Sequence, residues 1–368
     1  MLIVRSPVRI SFGGGGTDLP AYFEQYGGAV LSTAINKYFY TIVGKRSDGH
    51  IQIISSDLRV FETWKDISRM SVKESGSALE IPLAVLKELN CEVSLDLFLA
   101  SEIPPGTGLG SSASVCVNVL QAISSYLHLP LSKYDLAEKA FYIATESLGK
   151  PVGKQDEFAA AFGGLNFITF NRDGSTEVEP VPLAPELSAA LQQKLMLFFT
   201  GAAHHSWSIL KEQEASTKRR SGMAVESLHR IRDLAERMRH TLEDGDLHKF
   251  GLLLHEGWES KKKISAKISN TAIDKMYAIA RQNGAVGGKI TGAGGGGFML
   301  LYCDEEKQAT VREAFAAEGI REMRFAFDYS GSRVLVNDPF IDQDANCASQ
   351  WTFVAAPQHA TFQRKSFG

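Results

Sequence analysis

The chain has 368 residues, 44% of them hydrophobic and 22% charged, with a formal net charge of −3 at pH 7. It is longer than the roughly 250–300 residues one core usually supports, so two domains are expected; the charge balance excludes the basic excess of a nucleic-acid binder, and no apolar run of about 18 residues predicts a membrane span. The opening "MLIVRSPVRI" lacks the apolar core and small-residue cleavage site of a secretory leader, so Cys91, Cys116, Cys303 and Cys347, none in a CxxC pair, are expected as free thiols in a reducing cytoplasm.

Val8, Ile10 and Phe12 alternate with Arg9 and Ser11, the period-two pattern of a half-buried strand. Four glycines follow, Gly13 to Gly16, and run into Thr17 and Asp18. Each glycine loses more backbone freedom on folding than any other residue, so such a run needs a reason. Thr17 and Asp18 either cap a helix over about 19–26, or Asp18 accepts hydrogen bonds from a polyhydroxyl ligand for which the glycines clear space. "FYTIVGKRSDGHIQIIS" holds Asp48-Gly49 between two β-rich runs and predicts a hairpin. Val93, Leu95, Leu97 and Leu99 predict a further strand, which Pro104 and Pro105 end.

The segment "PPGTGLGSSASV" (104–115) then turns on three glycines into a helix, since Cys116, Leu120, Ile123 and Leu127 lie at helical spacing. A glycine turn feeding a helix N-terminus presents free amides and the positive end of the helix dipole to an anion. The hydroxyls of Ser111, Ser112 and Ser114 can add phosphate contacts or reach magnesium, or simply cap the helix. It is not a Walker loop, because no lysine follows Gly110. Another helix is expected over about 132–147. In "GKQDEFAAAFGG", Asp156 and Glu157 stand beside Lys154, with Glu146 ten residues before Asp156. One carboxylate can serve as base and another hold magnesium, or all can be solvated surface groups.

A hairpin is expected around Asp173-Gly174, and the proline-rich stretch over 181–188 is the expected domain boundary. Beyond it the chain is more helical. Residues 207–243 are charged and periodic, and Leu247, Phe250, Leu254 and Trp258 share a helical face. "GGKITGAGGGGFMLLYC" reads as strand, glycine turn, strand. Its GxGxxG match through Gly292, Gly294 and Gly297 is not a dinucleotide fingerprint, which requires a helix to open at once. A glycine turn between strands more plainly lets another backbone or a ligand come close. A helix near 305–317 and strands around 322–336 close the pattern; the last thirty residues show no period and are expected as a tail. The sum is an α+β chain in two lobes.

In this order RIxFxGGGTD, PPGTGLGSSASV, GKQDxxAAAFGG and GGKxxGAGGGGF, the chain resembles the GHMP kinase superfamily, and within it the heptose 7-phosphate kinase branch, from about residue 3 to about residue 336. The resemblance implies a two-lobed GHMP kinase fold: residues 1–185 an N-terminal, ribosomal-protein-like lobe with the phosphate loop, 186–338 a C-terminal ferredoxin-like α/β lobe, 339–368 a tail, and an ATP site between the lobes. It implies ATP and Mg2+ as cofactors, with Pro105, Gly106, Gly108, Leu109, Gly110, Ser111, Ser112 and Ala113 around the phosphates and Ser112 and Glu146 at the metal. Asp156 takes the place of the base, and Arg9 that of a basic residue that steadies the transferred phosphoryl group. Gly15, Gly16, Thr17, Asp18, Gly294, Gly295, His204, Lys262 and Lys289 are the expected substrate-binding set. The implied reaction phosphorylates C1 of D-glycero-D-manno-heptose 7-phosphate in the cytoplasm, for nucleotide-heptose, capsule, lipopolysaccharide or S-layer synthesis, with no nucleic-acid or membrane partner and a homodimer left open. The rivals are another sugar-1-kinase, such as one acting on L-fucose, and a non-catalytic binder on the same fold. One departure stands out: His204, followed by His205, occupies a position where the branch commonly has arginine. If that arginine holds the 7-phosphate, a histidine of reference pKa about 6.5 binds it weakly at neutral pH.

Overall fold

The computed structural model describes residues 1–65, 79–201, 206–218 and 222–338. The first sheet is built around two long strands, β1 (Leu2–Gly13) and β2 (Gly28–Lys45), paired antiparallel and separated by the short helix α1 (Pro20–Tyr26). With eighteen residues, β2 serves two further neighbours. Its second half pairs with β5 (Leu95–Ser101), its first half with β6 (Leu165–Phe170). Beyond β5 lie β3 (Ile51–Ser55) and the edge strand β4 (Val60–Trp64); beyond β6 lies β7 (Thr176–Pro180).

The expected hairpin through Asp48-Gly49 does not form. Gly49 makes the turn at φ +75°, but β2 and β3 do not pair, because β5 lies between them. Lys45 and Ile51 both take Leu95 as partner, one antiparallel and one parallel. The physical reason is burial. Leu95, Leu97 and Leu99 of β5 lie beside Ile51 and Ile53 of β3 in one apolar face, and a central position covers that face better than an edge would. Arg46 bridges the junction, donating to Asp48, Gln52 and Asp96. The hairpin at Asp173-Gly174 does form, as β6 and β7, with Gly174 at φ +89°.

Helices α3 (Ser111–Tyr126) and α5 (Gln155–Phe162) pack on β1 and β2, and α2 (Glu80–Glu88) and α4 (Lys133–Tyr142) pack against those helices. The predicted helix over 132–147 ends as a π turn, Ile143–Ser147. After β7 come α6 (Pro185–Lys194) and β8 (Leu195–Phe199), then α7 (Ser206–Lys218), α8 (Gly222–Glu243), α9 (Leu247–Lys262) and α10 (Thr271–Gln282). Strands β9 (Ala285–Ile290) and β10 (Phe298–Cys303) join β8 in a three-stranded antiparallel sheet of order β8-β10-β9. After α11 (Glu305–Ala317), residues 322–336 give one strand, β11 (Arg333–Asn337), and the bridges Phe198↔Glu322 and Ile35↔Phe327. β11 returns to the first sheet as the neighbour of β1. The tail over 339–368 lies outside the described residues.

The predicted face of α9 is borne out: Phe250, Leu254 and Trp258 are fully buried and Leu247 nearly so. Phe250 packs edge-on to Phe12 of β1, ring centroids 5.3 Å apart, in an apolar seam with Ile10, Leu234 and Met238. That seam fixes one lobe against the other, and the site lies beside it. No helix among the described residues is long and apolar enough to cross a membrane.

Candidate active site

A cleft of about 570 Å³ is walled by the phosphate-loop candidate, the first glycine run, the start of α5, α7, α9 and β9. After β5, the prolines deny ladder hydrogen bonds and the chain turns into α3 with Gly110, at φ +78°, as its N-cap. Pro105, Gly106, Gly108, Gly110, Ser111, Ser112 and Ala113 all line the cleft. Leu109 does not; its side chain is buried in the apolar seam and its carbonyl accepts from Arg9 N at 3.0 Å. Ser111 Oγ is buried without a partner, at the helix end where an anion would find it. Ser114, by contrast, donates to the Pro7 carbonyl at 2.7 Å and ties the helix to β1.

The second glycine run is shaped by this loop. A Cβ on Gly292 would lie 2.6 Å from Gly108 Cα, and one on Gly297 would lie 2.3 Å from the Thr107 carbonyl. Phe298 N donates to that carbonyl at 3.2 Å. Two backbones meet here with no room for a side chain. Gly292 and Ala293 reach the cleft wall, whereas Gly294 and Gly295 do not: Gly294 packs on Ile268, and Gly295 N donates to the Ile268 carbonyl at 2.8 Å.

In the first run, Gly15 and Gly16 line the cleft and Gly14 abuts the Ala29 carbonyl. Thr17 is buried in the turn, its hydroxyl donating to the Gly14 carbonyl at 2.8 Å. Neither Thr17 nor Asp18 caps α1, whose N-cap is Leu19 without a side-chain bond. Asp18, 3% exposed, accepts from Gly16 N at 2.7 Å and from Gln155 N at 3.3 Å. Burial, then the neighbouring Asp156, push its pKa up, while the two amides hold it down. Gly153 is tight beside it: a Cβ there would sit 2.0 Å from Asp18 Oδ2.

Arg9 and Asp156 form the centre. Arg9 Nε and Nη2 each donate to the Asp156 carboxylate at 2.7 Å, and Nη1 donates to the Gly108 carbonyl at 2.6 Å. One guanidinium thus ties β1, α5 and the phosphate loop together in the bidentate geometry that only arginine supplies. Asp156 faces the cleft with its side chain 26% exposed. Next to it Glu157 is buried, with Oε2 unpartnered; burial and then Asp156 raise its pKa well above the ordinary value. Two buried lysines complete the wall. Lys289 donates to the carbonyls of Ser11 at 2.8 Å and Phe12 at 3.1 Å, and burial drives its pKa well down. Lys261 donates to the Gly292 carbonyl, and burial lowers its pKa to about 8.

Besides Leu109, Thr17, Gly294 and Gly295, two further expected residues stand apart from the wall. Lys262 is not in the wall and pairs with Glu259 at 2.9 Å. Glu146 is exposed on the π turn and is not in the wall either. His204 lies outside the described residues. Sequence reasoning missed Lys261, Gln155 and Ser11, all in the wall, the last two with a buried oxygen lacking a partner. Helical spacing from Leu254 and Trp258 would have picked Lys261 out of the "KKK" run.

The residues fit a nucleoside triphosphate: a helix N-terminus, glycines cleared of side chains and an unpartnered hydroxyl converge on one cleft. Among the described residues no three His, Cys, Asp or Glu side chains are grouped to cage a metal. Magnesium that is bound by phosphates needs only one or two protein ligands, of which Ser112 is in the wall and the expected Glu146 is not.

The GHMP kinases N terminal domain matches residues 77–164, and the GHMP kinases C terminal domain matches 238–321. The chain is 32% identical over 331 residues to the D-glycero-alpha-D-manno-heptose 7-phosphate kinase of Campylobacter jejuni, covering 89% of this chain and 96% of that one. It is 26% identical over 337 residues to the L-fucokinase/L-fucose-1-P guanylyltransferase of Bacteroides fragilis, covering 84% of this chain and 35% of that longer one. The crystal structure of a D-glycero-D-manno-heptose 1-phosphate kinase from Bacteroides thetaiotaomicron superposes with a TM-score of 0.77 at 27% identity, over 92% of this chain and 100% of that one. The chain belongs to the GHMP kinase family, has its two-lobed fold, and is an ATP-dependent sugar kinase.

Proposed function

We propose that the chain transfers the γ-phosphoryl group of ATP to the anomeric C1 hydroxyl of D-glycero-D-manno-heptose 7-phosphate, giving the 1,7-bisphosphate that nucleotide-heptose synthesis consumes. The carrying observation is the similarity to the Campylobacter heptose 7-phosphate kinase along nearly the full length of both chains. Phosphoryl transfer needs positioning and charge neutralisation more than covalent chemistry. The amides opening α3 and the Ser111 and Ser112 hydroxyls hold the triphosphate. Asp156, fixed by Arg9, accepts the proton of the acceptor hydroxyl. Asp18, Gly15 and Gly16 receive the sugar, Asp18 through the lone pairs its two amide partners leave open. Ser112 would help hold a magnesium ion on the phosphates, and that ion would neutralise part of their charge.

A second reading, another sugar-1-kinase, is favoured by the similarity to the L-fucokinase region of the Bacteroides protein. Turnover of purified protein with ATP on heptose 7-phosphate, L-fucose and D-galactose separates them. The proposal expects the heptose phosphate to give the highest kcat/KM; a higher value on fucose or galactose overturns it.

A further inference from the structure

Lys261 stands on the last turn of α9, 8% exposed, in the cleft wall. Among the described residues it has no carboxylate within ion-pair distance, and the Gly292 carbonyl takes one of its three N–H donors. Two donors remain. The charged groups that face it are Arg9 from β1, Asp18 from the first glycine turn and Lys289 from β9. Two of these three are basic groups, and only Asp18 is acidic. A buried ammonium in such surroundings is unfavourable until an anion enters beside it.

The position identifies the anion. The Gly292 backbone that holds Lys261 packs directly on Gly108, and the Gly108 carbonyl takes Nη1 of Arg9. Lys261 therefore stands where the phosphate loop meets the Arg9–Asp156 pair. A sugar phosphate that offers its anomeric hydroxyl here carries its own phosphate at its far end, away from this junction. The group that does reach the junction is the γ-phosphoryl of ATP. Arg9 is the poorer receiver, since three of its five N–H donors, one on each nitrogen, already fix the guanidinium on Asp156 and the Gly108 carbonyl. Lys289 spends two donors on the carbonyls that lead into the first glycine run.

We propose that Lys261 is the cation that meets the phosphoryl group in flight, and that Arg9 is a positioning residue that holds Asp156. This rests on the reading of the cleft as the site of anomeric phosphorylation. In the step, the bond from the γ-phosphorus to its bridging oxygen breaks and ADP leaves with the electron pair. The acceptor oxygen bonds to phosphorus, and its proton passes to Asp156. The ammonium of Lys261 offsets charge on the equatorial oxygens throughout.

The test uses Lys261→Met, Lys261→Gln and Lys261→Arg in the full chain. With the acceptor that the unsubstituted enzyme uses best, Met and Gln are expected to lower kcat by about 10²–10³-fold, with the Kd for ATP changing by less than about tenfold, and Arg to keep a larger share of the rate than Gln. Lys261→Met is expected to melt no lower than the unsubstituted protein, because it removes a desolvated charge; a structural role would lower the melting temperature instead. A second readout needs no acceptor: a non-hydrolysable ATP analogue is expected to bind with proton uptake near pH 8.5, and with less uptake in Lys261→Met. A kcat within about threefold in Lys261→Met, a full rate in Lys261→Gln, or equal proton uptake in both proteins would overturn the proposal. Failure of the acceptor assignment shows separately, as low kcat/KM of the unsubstituted enzyme on heptose 7-phosphate.

Discussion

Arg9 grips Asp156 through two parallel hydrogen bonds of 2.7 Å while its third nitrogen holds the phosphate loop at Gly108. The carboxylate is thereby aimed from α5 across the cleft with its orientation set by a residue 147 positions away in sequence. Asp156→Asn keeps the shape and removes the base. It is expected to reduce kcat by about 10²–10⁴-fold with ATP binding retained, as steady-state kinetics and nucleotide titration would show. Arg9→Lys keeps the charge and loses the two-point grip; a fall in kcat of roughly 10–100-fold with little change in nucleotide affinity is expected.

Asp18 combines two tasks, and substitutions can separate them. It organises the glycine turn through Gly16 N and Gln155 N, and it faces the cleft. Asp18→Ala is expected to lower kcat/KM for the sugar by about 10²-fold or more, to leave the Kd for ATP within about threefold, and to destabilise the fold by about 1–3 kcal/mol as two buried amides lose their acceptor. Asp18→Asn keeps one acceptor oxygen, so its melting temperature should lie between the other two. Equal damage to sugar and ATP affinity would count against the sugar role.

The two halves of the second glycine run should respond differently. Gly292→Ala drives a Cβ into Gly108 at φ +66°, so the phosphate loop must shift; KM for ATP is expected to rise about tenfold, with a stability loss of about 1–3 kcal/mol. Gly294→Ala meets Ile268 at φ +110°. A comparable stability loss is expected there, with KM for ATP nearly unchanged.

Glu157 is expected to make the stability of the fold depend on pH. Its pKa is raised in the folded protein, so its contribution to stability is fully present below the ordinary value of 4.5 and lost as pH rises through the folded value. Glu157→Gln is isosteric and uncharged. It is expected to be more stable than the unsubstituted protein at pH 8 by on the order of 1 kcal/mol, read as a melting temperature a few degrees higher, with the difference vanishing below pH 4.5. A gap that is constant across pH would show that ionisation at this position is irrelevant to stability.

The parts of the site that were legible in the sequence are those where backbone does the work. Glycine runs, a Pro-Pro turn and a serine-rich helix start mark themselves by composition, and the structure brings Gly15, Gly108 and Gly292 into one wall. Side chains that act through neighbours were less legible. For Asp18 the sequence allows both a helix cap and a hydroxyl acceptor, and its bonds to Gly16 and Gln155 exclude the cap; a lysine run by itself does not say which member faces inward, so Lys261 is identified only by its spacing from Leu254 and Trp258. Topology was the least legible part. A period of two tells which side chains are buried but not which strand lies alongside, so the β2–β3 turn looked like a hairpin although β5 separates the two strands.

The most direct test of the account is the position of the new phosphate. Product formed from heptose 7-phosphate and ATP can be followed by phosphorus NMR with proton correlation. The account predicts a second phosphorus resonance coupled to the anomeric proton, the resonance of the 7-phosphate persisting. A new phosphate coupled to any other ring or side-chain proton, or no new sugar phosphate at all under conditions where ATP binds, would contradict it.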